Sequence, residues 1–270
     1  MGPAELGWTG RLAAGGLAAF AVLALGAAAG LWAQAWDVPV GGPYMSPGAG
    51  AWLGTDALGY DLWAQAVQGA RVSLVAGGGG ALGAVALGGV LGAWAGLRGG
   101  WTDRLLSGAT DAFAAVPPVV ALLAVALALG PGTWTVVLAI AATQWTGVFR
   151  AARAESQRLR AADYYRAAQA MGAGTLHQIT WHVAPALRPV LLSALVVLFA
   201  HAVKVEALLA YLGASAPELP SWGKLLARSG SELARGVWWP TLAGSAPLAL
   251  LVLCAQLLAD RSAPARPRGE

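Results

Sequence analysis

Charge is scarce in this 270-residue chain: 11% of residues are Asp, Glu, Lys or Arg, while 57% are hydrophobic. A soluble domain carries about 25% charged residues, and a globular core of this size could not use so much apolar surface. Cysteine is all but missing, and the single Cys254 can form no internal disulfide. Lysine is nearly as rare: only Lys204 and Lys224 occur, and neither stands in G-x-x-x-x-G-K-[ST], which excludes a phosphate loop. No G-x-S-x-G, zinc-helix or paired-cysteine pattern appears, so enzymatic readings have no residue set. The net charge is +4, yet no basic face is interleaved with exposed aromatics, which argues against nucleic acid as a partner.

What the chain does have is long apolar runs. A bilayer core about 30 Å thick needs about 20 apolar residues in a helix rising 1.5 Å per residue. Residues 12–32 and 72–97 supply two such runs. Residues 112–149 carry no charge and would stretch roughly 57 Å as one helix, so they read as two spans folded at the turn signal Gly130-Pro131-Gly132. Residues 187–212 and 237–259 complete six expected spans. The sequence Ala33-Gln34-Ala35 resembles a signal-peptide cleavage site, but the first run exceeds the usual signal core of about 7–15 residues and reads as a retained span.

Basic residues orient these spans. With the amino terminus in the cytoplasm, the inner segments hold Arg11, Arg98, Arg104, Arg150, Arg153, Arg158, Arg160, Arg166, Arg188, Arg261, Arg266 and Arg268. The outer segments hold Arg71, Lys224, Arg228 and Arg235. Both termini and the arginine-rich stretch 150–188 are therefore expected inside.

Within the second run, Gly88, Gly92 and Gly96 recur every fourth residue and line one helix face, a packing surface rather than a hinge. Trp32, Trp36, Trp101, Trp134, Trp238 and Trp239 fall where spans meet headgroups. His177 and His182, five apart, share no α-helical face cleanly and His201 stands alone, so the histidines read as ordinary side chains and no metal site is expected. Lys204 and Glu206 are the notable intramembrane charges. Two residues apart, they point to different faces. Glu206 sits roughly 28 Å along its helix from Leu187, near the outer end, where it either shapes an outer gate or holds an interhelical hydrogen bond.

The polar stretch between the fourth and fifth expected spans reads RAESQRLRAADYYRAAQAMGAGTLHQITWHVAPALRP. Its Arg166-Ala167-Ala168, Gly172 and Pro185 have the spacing of E-A-A, three residues, G, nine residues, I-x-L-P, the cytoplasmic coupling loop of ABC-type importer permeases. Upstream, Leu53-Gly54-Thr55-Asp56 with Gly59 and Asp61, then Gly69-Ala70-Arg71-Val72-Ser73-Leu74, resemble L-G-T-D-x-x-G-R-D and G-x-R-x-S-L. Gly99-Gly100-Trp101-Thr102-Asp103, with Asp111 and Pro117, resembles the approach to the third span. Glu206-Ala207, Leu212-Gly213 and Pro220-Ser221-Trp222-Gly223 resemble the outer fifth-span signature. Together, over residues 52–226, these make the chain similar to the second permease subunit of the dipeptide, oligopeptide and nickel ABC importer family. It departs from the pattern at Arg166, where an acid is usual, at Ala184, where leucine is usual, and at Tyr60 in place of arginine.

The resemblance implies an all-α membrane protein with six transmembrane helices and the type I ABC importer permease (MetI-like) architecture, in a bacterial inner membrane. It implies an N-terminal end and first helix over 1–36, an extracytoplasmic segment over 37–71, a five-helix core over 72–259 with its coupling loop at 150–186, and a tail over 260–270. Partners would be a second permease subunit in a heterodimer, two ABC ATPases that carry the ATP and Mg, an extracytoplasmic solute-binding protein, and lipid. No cofactor would be bound by this chain. In the loop, a polar helix over about 155–171 would reverse at Gly172 and Gly174, and Pro185 would end a second short helix and begin the fifth span. Arg166, Ala167, Ala168, Gly172, Ala173, His182 and Pro185 would meet the ATPase, and Lys204, Glu206 and Trp222 would line an outer gate or pathway. A secondary transporter or channel, or a membrane scaffold without transport activity, is the alternative; secondary transporters often show internal repeats, and none is apparent. The cargo stays open between peptides, a nickel chelate and other solutes.

Overall fold

A computed structural model describes residues 8–48, 50–172 and 174–262. The chain is all-helical, with only isolated β-bridges among the described residues. The helices are α1 (Trp8–Ala28), α2 (Leu62–Arg98), α3 (Gly100–Ala114), α4 (Pro118–Leu129), α5 (Thr133–Ala161), α6 (Asp163–Ala170), α7 (Thr175–Gln178), α8 (Ala184–Tyr211), α9 (Trp222–Leu233) and α10 (Trp239–Ser262), with a π-helical turn, Ile179–Val183, leading into α8.

Four helical stretches are long and apolar enough to cross a membrane: α1, α2, the continuous Ile179–Tyr211, and α10 up to Ala259. The pair α3 and α4, bent by 88°, makes a fifth if it is taken as one span. The expected third span from residue 112 is thus not a straight helix. Pro117 and Pro118 sit back to back, and a proline disfavours the helical conformation of the residue before it, so the chain breaks at residues 115–117 and Pro118 opens α4. At 12 residues, α4 reaches only about 18 Å. The turn at Gly130-Pro131-Gly132 separates α4 from α5. In α5 the polar residues Thr143, Gln144 and Thr146 dilute the apolar run of the remaining expected span. Thr143 satisfies its hydroxyl by donating to the Ala139 carbonyl at 2.7 Å, the usual local solution for threonine inside a helix. Residues 263–270 of the expected tail lie outside the described residues.

Helix α2 is the hub, packed on α5, α8 and α1. Its glycine stripe faces α5. A β-carbon on Gly88, Gly92 or Gly96 would stand 2.4, 2.4 and 2.5 Å from the carbonyl oxygens of Trp145, Phe149 and Arg153 respectively. Two backbones therefore touch, glycine against carbonyl, at matching four-residue intervals. Beside this seam, Ala76, Ala81, Leu122, Val136, Ile140 and Leu209 bring α2, α4, α5 and α8 into one core.

The first helix stops at Ala28, earlier than the expected 32, because Trp32 folds back: its Nε1 donates to the Leu23 carbonyl at 3.0 Å and its ring lies over Gly26. Residues 29–48 and 50–61 then form a cap without helices. Thr55 locks this cap, donating to the Gly42 carbonyl at 2.7 Å and accepting from the Met45 amide at 2.8 Å. The Asp56 carboxylate accepts from the Leu58 and Tyr60 amides and from Gln65 Nε2. Gly54 has φ +77°, a left-handed conformation, and its backbone lies so close to Met45 and Trp239 that a side chain would collide. The Leu53-Gly54-Thr55-Asp56 motif is thus the staple of the cap.

Candidate functional site

Two regions gather the residues singled out from sequence. The first is the loop between α5 and α8. Helix α5 continues past Phe149 to Ala161, so the polar helix expected over 155–171 is not one piece. Ala162 is extended (φ −73°, ψ 138°), and α6 starts afresh at Asp163. Within α6, Tyr165 and Ala168 turn inward; Tyr165 packs with Ala152, Leu159, Val183 and Leu187, while Arg166 and Ala167 face out. The chain reverses at Gly172, φ +80°, in open space. Ala173 lies outside the described residues. Tyr165 Oη donates to Gln178 Oε1 at 3.1 Å, tying α6 to α7.

The π-turn changes two expectations. Pro185 does not end a separate helix: it sits in the first turn of α8, which the π-turn joins without interruption to Ile179. His177 and His182 do come together, with ring centroids 6.0 Å apart. A π-turn bonds residue i to i+5, which brings five-apart side chains round to one side. His182 also stands 6.0 Å from each of Tyr164 and Tyr165, and Trp181 stacks on His177 at 6.1 Å. The outer surface of this aromatic group is apolar and uncovered, with Tyr164 58% and Trp181 70% exposed, and Met171 on the same loop is 82% exposed.

Behind the loop, α5 is braced to α3. Arg153 makes a bidentate pair with Asp103, Gln157 bonds the same carboxylate at 3.2 Å, and Arg150 meets Asp111 at 3.0 Å. Sequence reading assigned the arginines only to topology. Acids and bases 39 and 50 positions apart leave no local signal that they pair.

The second region is the far end of α8. Lys204 is exposed and Glu206 fully buried, on different faces of the helix. Glu206 Oε2 accepts from Ser73 Oγ of α2 at 2.8 Å. Trp222, also fully buried, donates from Nε1 to the Ala66 carbonyl at 2.8 Å and meets Phe20 edge-on at 5.8 Å. Gly223 lies directly on the Ala207 carbonyl. The two halves of the outer signature, Glu206-Ala207 and Pro220-Ser221-Trp222-Gly223, are therefore one packed unit. Lys224 closes it, its ammonium donating to the Ala216 and Leu219 carbonyls. Burial, and then neighbouring Arg228, hold Lys224 below the usual lysine range, and Glu206 pulls it partly back. Ser73 was legible only as part of a motif; its bond to a carboxylate 133 residues away was not.

Glu206→Ala should lower the unfolding free energy by about 1–3 kcal/mol, because the buried Ser73 hydroxyl loses its partner. Glu206→Gln retains an acceptor for that hydroxyl and should melt close to wild type. Thermal melts of the detergent-extracted protein check this; equal melting of wild type and Glu206→Ala would mean the bond carries no weight. Among the described residues, no group of three or more His, Cys, Asp or Glu is placed to hold a metal.

Comparison with known proteins places this geometry. Residues 88–266 match the family model described as binding-protein-dependent transport system inner membrane component. A protein of Brucella suis biovar 1 (strain 1330) named as a peptide permease is 34% identical over 212 residues, 77% of this chain and 70% of its own length. A second protein of that strain, named as a peptide transport system permease, is 34% identical over 221 residues, 80% of this chain and 73% of its own. The oligopeptide transport system permease protein OppC of Bacillus subtilis (strain 168) is 31% identical over 180 residues, 66% of this chain and 59% of its own.

Proposed function

The chain belongs to the family of binding-protein-dependent transport system inner membrane components, and from that premise we propose how it works within an importer. It is a multi-pass inner-membrane permease component and not an enzyme, with ATPases and a solute-binding protein as its kind of partners. In our reading it pairs with a second, related permease subunit, and two ATPases that bind ATP and Mg supply the energy. Both termini and the loop over 150–186 face the cytoplasm, as the arginine distribution supports. The cargo is a peptide, a reading supported by the relatives' names.

The observation that carries the coupling role is the uncovered apolar surface of Tyr164, Met171 and Trp181 on a loop otherwise braced from behind. Large exposed aromatics next to a polar rim mark a protein interface. In this reading the loop residues Arg166, Ala167, Ala168, Gly172, His182 and Pro185, with Ala173 of the same motif, make up the segment that meets an ATPase, and its two short helices fit a groove there. At the other end, the Glu206 and Trp222 unit stiffens the face on which the binding protein docks, while exposed Lys204 points away from this chain's own core toward the second permease.

Affinity purification of the tagged chain in mild detergent should bring down a second permease and an ATPase pair. Trp181→Glu should release the ATPases and keep the second permease; full ATPase retention by that variant would defeat the coupling assignment. In a Cys254→Ala background, cysteines at the exposed positions Gln157 and Ser231 should be labelled from opposite sides of the membrane.

A further inference from the structure

An open groove of about 1100 Å³ runs between α2 and the start of α8. Val90 and Trp94 on one side and Ile179 and Leu192 on the other form apolar walls, and all four are exposed. The helices close at its floor, where Leu191 stands 3.1 Å from the place of a β-carbon on Gly89. From Arg98 at one end to Val85 at the other, α2 rises through thirteen residue steps, about 20 Å, comparable with one leaflet of a bilayer core about 30 Å thick.

Arg98, Tyr165 and Gln178 line this groove at its loop end, Arg188 lines it one turn before Leu191 and Leu192, and no Asp or Glu lines it. Arg150, Arg153 and Arg158 are paired with acids, but neither Arg98 nor Arg188 has an ion-pair partner among the described residues. Trp94 lies one turn inward from Arg98 on the same side of α2, the pattern of a headgroup boundary. An apolar helix laid in the groove would leave two guanidinium groups against hydrocarbon without a counter-charge, which is costly.

We propose that the groove is a binding site for an anionic phospholipid, its phosphate held by Arg98 and Arg188 and an acyl chain lying along Val90, Trp94 and Leu192. Arginine suits this role because its planar fork meets two phosphate oxygens at once. The site adjoins the loop, sharing Tyr165 and Pro185 with it, and does not depend on which solute is carried.

The test uses the complete transporter reconstituted in nanodiscs with phosphatidylglycerol or phosphatidylcholine bearing a photoreactive acyl chain, with labelled peptides located by mass spectrometry. Phosphatidylglycerol should label the helical segments flanking the groove. Affinity should fall about thirtyfold in R98Q/R188Q, as the loss of two surface basic residues predicts, and recover only in part in R98K/R188K, which restores the charges without the planar fork. On the wild-type complex, unlabelled phosphatidylglycerol should compete and phosphatidylcholine should not, so the answer does not hang on a variant that assembles. Equal labelling by both lipids, equal competition by both, or a photo-crosslinker at Leu192 that captures the second permease instead of lipid, would overturn the proposal.

Discussion

Gly92→Val should leave little or no folded permease in the membrane. The new β-carbon would stand 2.4 Å from the Phe149 carbonyl oxygen and 3.0 Å from both Ala152 Cβ and the Arg153 amide nitrogen. Two of these obstacles are backbone, so no rotamer change relieves the clash and α2 and α5 must separate. Overpacking costs typically about 1–3 kcal/mol where side chains can adjust; here the cost lies at the upper end or beyond. Gly78→Val on the same helix is the control, because nothing lies within 4 Å of the added carbon. Membrane levels of the two variants, measured by immunoblot and by size-exclusion after extraction, check the result. Comparable levels of both would show that the glycine seam is dispensable.

Gly172→Val should abolish stimulation of ATP hydrolysis by the cargo-loaded binding protein, while the permease still reaches the membrane and assembles. The position has room for a side chain but not the backbone angle for one: φ is +80°, and a residue with a β-carbon pays roughly 1–2 kcal/mol there. Refolding the reversal at residue 172 would redirect α7 and carry Trp181 away from Tyr164. Gly172→Asn tests the cause, since asparagine visits the left-handed region more readily, and it should restore much of the stimulation. Full stimulation with valine would sever the reversal from coupling.

These two glycines differ in how far sequence could anticipate them. The stripe at Gly88, Gly92 and Gly96 was legible because a four-residue repeat of the smallest residue has one structural use on an apolar helix. Its partner was not, since backbone carbonyls on α5 carry no residue signature. The turn at Gly130-Pro131-Gly132 announced itself chemically; the break before Pro118 did not stand out, because a count of uncharged residues is blind to direction. The approach of His177 and His182 escaped for a related reason: an α-helical period was assumed where a π-turn stands. Glu206 was visible as a charge in an apolar span, and its burial against Ser73 was not, because a contact over 133 positions leaves no periodicity.

The α2–α5 seam also has a mechanical meaning. Close contacts run from Gly79 against Val137, through Gly80 against Ile140 and Gly83 against Ala141, to Gly96 against Arg153. Helix α5 alone is 29 residues, about 43 Å, and glued to α2 over much of that length it resists bending as a double beam does. Movement of the inner end of α5 should therefore carry α2 with it, the pair shifting as one piece. Deformation is left to the joints beside the beam: the 88° elbow at residues 115–117, pulled along by the arginine braces on α3, and the non-helical strap over residues 212–221 that hangs from Lys224.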